Sequence, residues 1–187
     1  MTVPVAVIHG RFQPLHAGHL EYLLAGRALC ETLVVGITNP DPELTVVEPT
    51  EPGRGEAGAN PCTFYERLLM VEGALVESGV PREAFRIVPF PHGMPERLLH
   101  YAPADALYLL TIYDEWGEEK LGRFAGLGLW THVMWRRTEK VTSGSEVRRL
   151  IAAGDDRWEE LVPAAVARVV RERGIDRRIR EEAAACA

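Results

Sequence analysis

The chain has 187 residues, a length that fits one α/β domain with a single sizeable core. Its hydrophobic content of 47% is ordinary for a globular protein, no apolar stretch is long enough to cross a bilayer, and Met1 leads into a strand pattern without a signal peptide. The net charge of −6 argues against general nucleic-acid binding, and an odd number of cysteines without ligand-like spacing favours reduced thiols in a cytoplasm: Cys30, Cys62 and Cys186.

The first predicted element is a buried strand over residues 3–8, an apolar run rich in β-branched residues. A glycine-containing turn follows, and four leucines then give the spacing of an amphipathic helix: Leu20, Leu23, Leu24 and Leu29. Such a turn exposes backbone N–H groups and the positive end of the helix dipole, which makes it an anion site. His16 and His19 would project to one side of the first helical turn, with the charge of Arg11 beside them.

Further strands and helices are predicted in alternation along the rest of the chain. The strands are residues 32–38, Phe85–Phe90, 106–112 and 129–135, and the helices are Phe64–Glu77 and residues 95–101, 115–125, 146–153 and 161–172. Cys30 is placed in the apolar pattern of the first helix. The alternation predicts an α/β fold with a doubly wound parallel sheet, in which ligands bind beyond the carboxyl ends of the strands.

Residues 39–61 interrupt this alternation with five prolines, three glycines and five acidic residues. A loop of this length in a compact domain is either a functional lid or a passive surface insertion, and the sequence leaves both open. We expect one domain over residues 1–174, with 39–61 as a long substrate-side loop and 175–187 as a helical C-terminal tail.

Two more segments carry candidate site residues. Ser143 and Glu146 match a capping box in the string Thr142-Ser143-Gly144-Ser145-Glu146-Val147-Arg148. The N-terminal amides of that helix would receive an anion and Arg148 would contact phosphate oxygens, although a plain helix start has the same pattern. Thr63 and Glu66 form another capping box in Asn60-Pro61-Cys62-Thr63-Phe64-Tyr65-Glu66-Arg67.

The histidine pair alone would also fit zinc ligands or a capping histidine, but no further ligands follow at zinc-site spacing. The complete string Gly10-Arg11-Phe12-Gln13-Pro14-Leu15-His16-Ala17-Gly18-His19 resembles the signature of the HxGH nucleotidyltransferase superfamily, more narrowly the archaeal-type nicotinamide-nucleotide (NMN) adenylyltransferases. The 142–148 string resembles the second signature of these enzymes, with Ser145 for Thr and Val147 for Ile. The 60–67 string is similar to their Asn-Pro-Phe-Thr-x-x-Glu-Arg block.

This resemblance implies a Rossmann-like fold and a set of roles. It assigns catalysis to His16, His19 and Arg148, and nucleotide and phosphate binding to Gly10, Arg11, Phe12, Gly18, Thr142, Ser143, Gly144 and Ser145. It assigns acceptor binding to Arg67 and Asn60. It also implies Mg²⁺, bound by the phosphates and water rather than by protein ligands.

Two departures from the family fall on the acceptor side. The archaeal-type enzymes carry a Trp after the third strand that stacks on nicotinamide, and the matching position here lies at or near Leu98. Their Ser-Gly-Asn turn after the fourth strand is replaced by a segment containing Tyr113, Asp114 and Trp116. Leu98, Tyr113 and Trp116 are therefore candidate acceptor-binding residues, and Asp114 either caps the next helix or lines an altered pocket.

We expect an enzyme that transfers an NMP group from an NTP, CTP or ATP, to a small phosphate or phosphonate acceptor with release of pyrophosphate. NMN adenylyltransferase activity is the alternative, because the overall resemblance favours it. A nucleotide-binding protein without turnover is less favoured, since all three motif blocks are present. The expected partners are the NTP and the acceptor, not nucleic acid or a membrane, and a homo-oligomer stays open.

Overall fold

Five strands form one fully parallel sheet in the computed structural model, which describes residues 2–41, 57–138 and 141–185. In chain order the strands are β1 Val3–Gly10, β2 Cys30–Thr38, β3 Phe85–Phe90, β4 Leu107–Ile112 and β5 Trp130–Arg136. Their order across the sheet is β3-β2-β1-β4-β5. The chain thus builds outward from β1 in one direction and crosses back at β4, so the topological switch point lies between β1 and β4.

Helices cover both faces of the sheet, as predicted. They are α1 Ala17–Arg27, α2 Phe64–Glu77, α3 Pro95–Leu98, α4 Glu115–Gly126, α5 Gly144–Ala152, α6 Ala164–Glu172 and α7 Ile175–Ala185. Alternate residues of each strand point to opposite faces, so Ala6 and Ile8 join the core under α1, α2 and α5 to α7, while Val7 joins the core under α3 and α4. The predicted α/β, doubly wound class is confirmed.

Three element predictions were wrong in detail. Cys30 begins β2 rather than belonging to a helix, because α1 ends at Arg27 and Cys30 already pairs with Val3. The helix predicted over 161–172 is a 3₁₀ turn, Asp156–Leu161, followed by α6, since Pro163 starts a new helix more readily than it continues one. The helix predicted over 95–101 ends at Leu98 and continues as turns.

Most of the predicted 39–61 loop, residues 42–56, lies outside the described residues. The predicted helical tail is α7 up to Ala185, and its Ile175 and Ile179 are buried in the larger of the two cores. No helix in the described part of the chain is long and apolar enough to span a membrane.

Candidate active site

A cavity of about 760 Å³ opens at the carboxyl ends of the strands, beside the switch point. Its walls include the ends of β1, β2 and β4 and the first turns of α1, α4 and α5. Three helix N-termini therefore face one space, and the positive ends of their dipoles favour an anionic ligand there.

The first wall is the turn from β1 into α1, where Gly10, Arg11, Phe12 and Gly18 all line the cavity. Phe12 has φ 52°, a left-handed conformation that is strained for a bulky residue, and its ring is fully buried. A Cβ at position 10 would lie 2.8 Å from that ring, so only glycine fits there. The turn is thus fixed by packing rather than by intrinsic preference.

His16 and His19 stand side by side on the cavity wall, with ring centroids 3.7 Å apart and planes 25° apart. The predicted same-side projection is confirmed. The backbone N–H of His16 donates to Nδ1 of His19 at 3.4 Å. Because Nδ1 accepts this bond, a neutral His19 carries its proton on Nε2, which is the arrangement of a hydrogen-bond donor to a phosphate oxygen.

The second wall is the start of α5, and Thr142, Ser143, Gly144, Ser145 and Arg148 line the cavity. The predicted helix start is confirmed, because Ser143 accepts from the N–H of Glu146 at 3.1 Å. The reciprocal half of the predicted capping box is replaced by an exposed ion pair from the Glu146 carboxylate to Arg149.

Arg148 joins the two walls. Its Nη1 donates to the backbone oxygen of Gln13 at 2.6 Å and its Nη2 to Oγ of Ser145 at 3.3 Å. Burial lowers the pKa of Arg148, yet a guanidinium stays charged at neutral pH. A fixed cation therefore lies between the two segments that resemble phosphate-binding signatures.

Three predicted acceptor-binding residues are not brought to this cavity. Arg67 is 2% exposed and donates to backbone carbonyls at the ends of β1 and β2. Leu98 is 1% exposed and packs in the core under α3 and α4. Asn60 precedes α2 and is half-buried outside the lining. Leu98, the residue at or near the position expected for the family's nicotinamide-stacking Trp, is thus a core residue.

Tyr113 and Trp116, the other predicted acceptor-side residues, do line the cavity. Asp114 lies between them and accepts from the N–H of Gly117 at 3.1 Å, which confirms it as the cap of α4. A second cavity of about 710 Å³ adjoins the first and shares Asp114 and Thr142 with it. The lining of this second cavity continues along α5 to Arg149 and beyond to Arg157.

Sequence reasoning missed Gln13, whose side chain makes two bonds to one residue. Its Nε2 donates to the oxygen of Cys62 at 2.9 Å and its Oε1 accepts from the N–H of Cys62 at 2.8 Å. This pairing attaches the 60–67 block to the first wall. The capping box predicted in that block is confirmed by reciprocal bonds between Thr63 and Glu66.

Sequence reasoning also missed three basic side chains of the lining, His9, His92 and Lys120. The signal for His9 was available, since it interrupts an otherwise apolar strand just before the turn that was predicted to bind phosphate. Burial lowers the pKa of His9 well below its usual value, and the nearby Lys120 and His92 lower it further. His9 is therefore neutral at physiological pH.

The side chains of the described residues do not form a ligand set for a resident metal ion. No group of three or more His, Cys, Asp or Glu side chains within residues 2–41, 57–138 and 141–185 is arranged to hold one. Asp114 is the single acidic side chain in the described lining of the larger cavity, and it caps α4. The chemistry of this wall suits an anion and not a bare cation.

Comparison with known proteins identifies relatives along nearly the whole chain. Residues 7–181 match the family described as Cytidylyltransferase-like. The chain is 70% identical to the phosphonoformate cytidylyltransferase of Streptomyces viridochromogenes, over 93% of this chain and 94% of that one. It is 32% identical to the nicotinamide-nucleotide adenylyltransferase of Methanothrix thermoacetophila, over 90% of each chain.

Among solved structures, the bifunctional NMN adenylyltransferase/ADP ribose pyrophosphatase from Francisella tularensis superposes with a TM-score of 0.68 at 15% identity. The match covers 97% of this chain and 53% of that one, so the chain spans about half of the solved structure. At this identity the likeness concerns the fold, and it agrees with the Rossmann-like sheet described above.

Proposed function

The chain belongs to the cytidylyltransferase-like family of nucleotidyltransferases, and on that premise we propose that it transfers CMP from CTP to a small phosphonate of the phosphonoformate class, releasing pyrophosphate. The observation that carries the proposal is the likeness to phosphonoformate cytidylyltransferase along nearly all of both chains. Burial of Leu98 supports it, because a small phosphonate has no ring that needs a stacking platform.

In the proposed reaction an ionised phosphonate oxygen of the acceptor attacks the α-phosphorus of CTP in line. A new P–O bond forms, the bond from the α-phosphorus to the bridging oxygen breaks, and pyrophosphate leaves with that electron pair. The nucleophile is already an anion, so no general base is required. Catalysis then consists of positioning the reactants and stabilising charge on the phosphoryl oxygens.

The residues of the two walls suit these tasks. His16 and His19 would donate to the α- and β-phosphate oxygens, and Arg148 with Arg11 would neutralise the leaving pyrophosphate. The nucleoside would extend toward the adjoining cavity, because the start of α5 borders both spaces. Mg²⁺ would enter as part of the Mg–CTP substrate and supply charge neutralisation on the phosphates.

A cytoplasmic location, and no nucleic-acid or membrane partner, belong to the same proposal. They are supported by the net charge of −6 and by the metabolite character of both substrates. NMN adenylyltransferase activity is the second candidate, favoured by the identity of about a third to the archaeal enzyme.

The test is pyrophosphate release measured for CTP and ATP, each combined with phosphonoformate and with NMN. We expect the highest catalytic efficiency for CTP with phosphonoformate, at roughly 10⁴ M⁻¹s⁻¹ or more. Efficient NAD⁺ formation from ATP and NMN would instead establish the second candidate. Release with none of the four combinations would refute both.

The His19→Ala variant tests the assigned chemistry in the same assay. Loss of a donor to the phosphoryl oxygens should lower kcat by roughly 10²-fold or more while the protein stays folded. His132→Ala is the matched control, since His132 is exposed on β5 and does not line the cavity. Near-normal turnover by His19→Ala would remove His19 from the mechanism.

A further inference from the structure

One end of the larger cavity carries four side chains that the two phosphate-binding walls do not use. They form the basic corner, defined by His9 at the end of β1, His92 after β3, and Trp116 and Lys120 in α4. The His92 ring centroid lies 5.9 Å from that of Trp116, and Nζ of Lys120 lies 6.0 Å from the same ring. Chain segments from three parts of the sheet thus bring basic groups to one place.

His9 is the most informative member of the basic corner. Its side chain is more than nine-tenths buried, stacked on Phe90 with centroids 4.7 Å apart and tilted against Phe124 at 5.2 Å. Within the described part of the chain, neither ring nitrogen has a hydrogen-bond partner. A buried donor and acceptor in a cavity wall are costly unless a ligand uses them, so His9 points to a polar ligand at this end.

The charged side chains around the basic corner indicate whether that ligand is an anion or a cation. Lys120 lies on the lining, and the guanidinium of Arg123, which does not line the larger cavity, lies 4.6 Å from the centroid of the Trp116 ring. Asp114, the acidic residue of the described lining, is bound to the start of α4. A neutral imidazole and a cationic rim favour an anion and disfavour a cation.

We propose that the basic corner is the acceptor subsite and that it recognises the carboxylate of a carboxyphosphonate, with His9 as donor and Lys120 as counter-charge. The inference rests on the proposed CTP-dependent function, and it adds which group of the acceptor the protein recognises. In-line attack places the acceptor on the side of the α-phosphorus away from the leaving pyrophosphate. With the triphosphate between α1 and α5, the basic corner is the remaining anion-receptive wall.

The same corner discriminates against NMN. The nicotinamide ring of NMN is a pyridinium cation, and in this subsite it would face Lys120 with no aromatic platform from Leu98. Repulsion between like charges lowers affinity for such an acceptor without any steric block. The basic corner therefore acts as a specificity determinant for small acceptors that carry a carboxylate beside the phosphonate.

The decisive variants are Lys120→Gln and His9→Leu, assayed with CTP and either phosphonoformate or methylphosphonate, which lacks the carboxylate. We expect KM for phosphonoformate to rise about tenfold or more, as for the loss of one charge-assisted bond. KM for CTP and the kinetics with methylphosphonate should change less than about twofold. Arg123→Gln is the matched control, because it removes a charge one turn along α4 that contacts Trp116 but does not line the larger cavity.

A rise in KM for CTP, equal effects on both phosphonates, or no change in either variant would overturn the inference. Calorimetric titration of the same proteins with phosphonoformate separates it from the proposed function. If the wild type binds phosphonoformate and Lys120→Gln does not, the subsite stands even where CTP turnover fails. Equal binding by all variants, or none by the wild type, rejects the subsite.

Discussion

The guanidinium of Arg67 donates to four backbone oxygens from three chain segments. Nη1 bonds to Thr38 at 2.6 Å and Arg11 at 3.1 Å, Nη2 to Asn39 at 2.8 Å, and Nε to Thr63 at 3.2 Å. Burial lowers its pKa to about 10, which leaves the group charged at neutral pH. Because Arg11, Thr38 and Asn39 line the cavity, Arg67 fixes the cavity wall from behind.

Replacing Arg67 by lysine should therefore destabilise the protein and weaken nucleotide binding together. An ammonium group concentrates its donors at one point and cannot span these four acceptors, so buried carbonyls lose their partners. We expect a loss of about 2–4 kcal/mol in the free energy of unfolding by urea, with a raised KM for CTP.

The control for this prediction is Arg86→Lys. Arg86 also donates to two backbone oxygens, those of Glu83 and Phe85, but it is exposed and does not line the cavity. That variant should stay within about 0.5 kcal/mol of the wild type. Equal stability losses in the two variants would show that position 67 has no special role.

At the scale of single residues, the sequence predicted which side chains reach the cavity better than it predicted what each of them contacts. His16, His19 and Arg148 were found because the turn, the helix spacing and the capping residues are local signals. Arg67 was expected to contact the acceptor, whereas its bonds depend on where β1 and β2 end relative to α2, which is tertiary information. His9 was missed because one histidine in an apolar strand is weak evidence without its neighbours.

The elements of the sheet were predictable because buried strands and amphipathic helices have different hydrophobic periods. β3 and α2 have the predicted bounds, and the confirmed parallel order follows from alternation. Short or interrupted elements were not predictable. The end of α3 at Leu98 and the break before α6 depend on turns whose stability comes from packing, not from sequence period.

The start of α5 approaches the first wall so closely that position 144 has no room for a side chain. A Cβ there would lie 2.9 Å from the backbone oxygen of Gln13 and 3.3 Å from Nη1 of Arg148. Gly144→Ala should push α5 from the first wall and break the Arg148–Gln13 bond. We expect a loss of roughly tenfold or more in kcat/KM for CTP, measured by pyrophosphate release, because such a displacement would misalign the groups proposed to bind the phosphates.

Gly122→Ala is the matched control for that substitution. Gly122 lies in α4, and a Cβ there would meet nothing within 4 Å. Alanine should keep normal turnover and raise stability by roughly 0.5–1 kcal/mol, as expected for an open helix interior. Full activity in Gly144→Ala would show that the close approach is not needed.

Across the whole molecule, a chain of hydrogen bonds links the C-terminal helix α7 to the candidate active site. Arg178 in α7 donates to the oxygen of Pro61 at 2.5 Å and makes a two-pronged pair with Glu66 at 3.0 Å. Cys62, the next residue after Pro61, is held by Gln13, whose backbone oxygen accepts from Arg148. The tail predicted beyond residue 174 thus supports the walls of the cavity.

Arg178→Met should therefore lower stability by about 1–3 kcal/mol and reduce kcat/KM for CTP several-fold, measured by urea unfolding and pyrophosphate release.

The stability difference between Arg178→Met and the wild type should also depend on pH. Although burial raises the pKa of Glu66, the hydrogen bonds from Arg178 and Thr63 outweigh the effect of burial and lower that pKa overall. The stabilisation is therefore present above the unfolded carboxyl pKa of 4.5 and is lost as the pH falls through the lower folded pKa, so the difference between variant and wild type should shrink in acid. Arg177→Met is the control, since Arg177 is exposed and pairs only at 3.9 Å with Glu181. If both variants behave alike, α7 contributes packing but no specific link to the site.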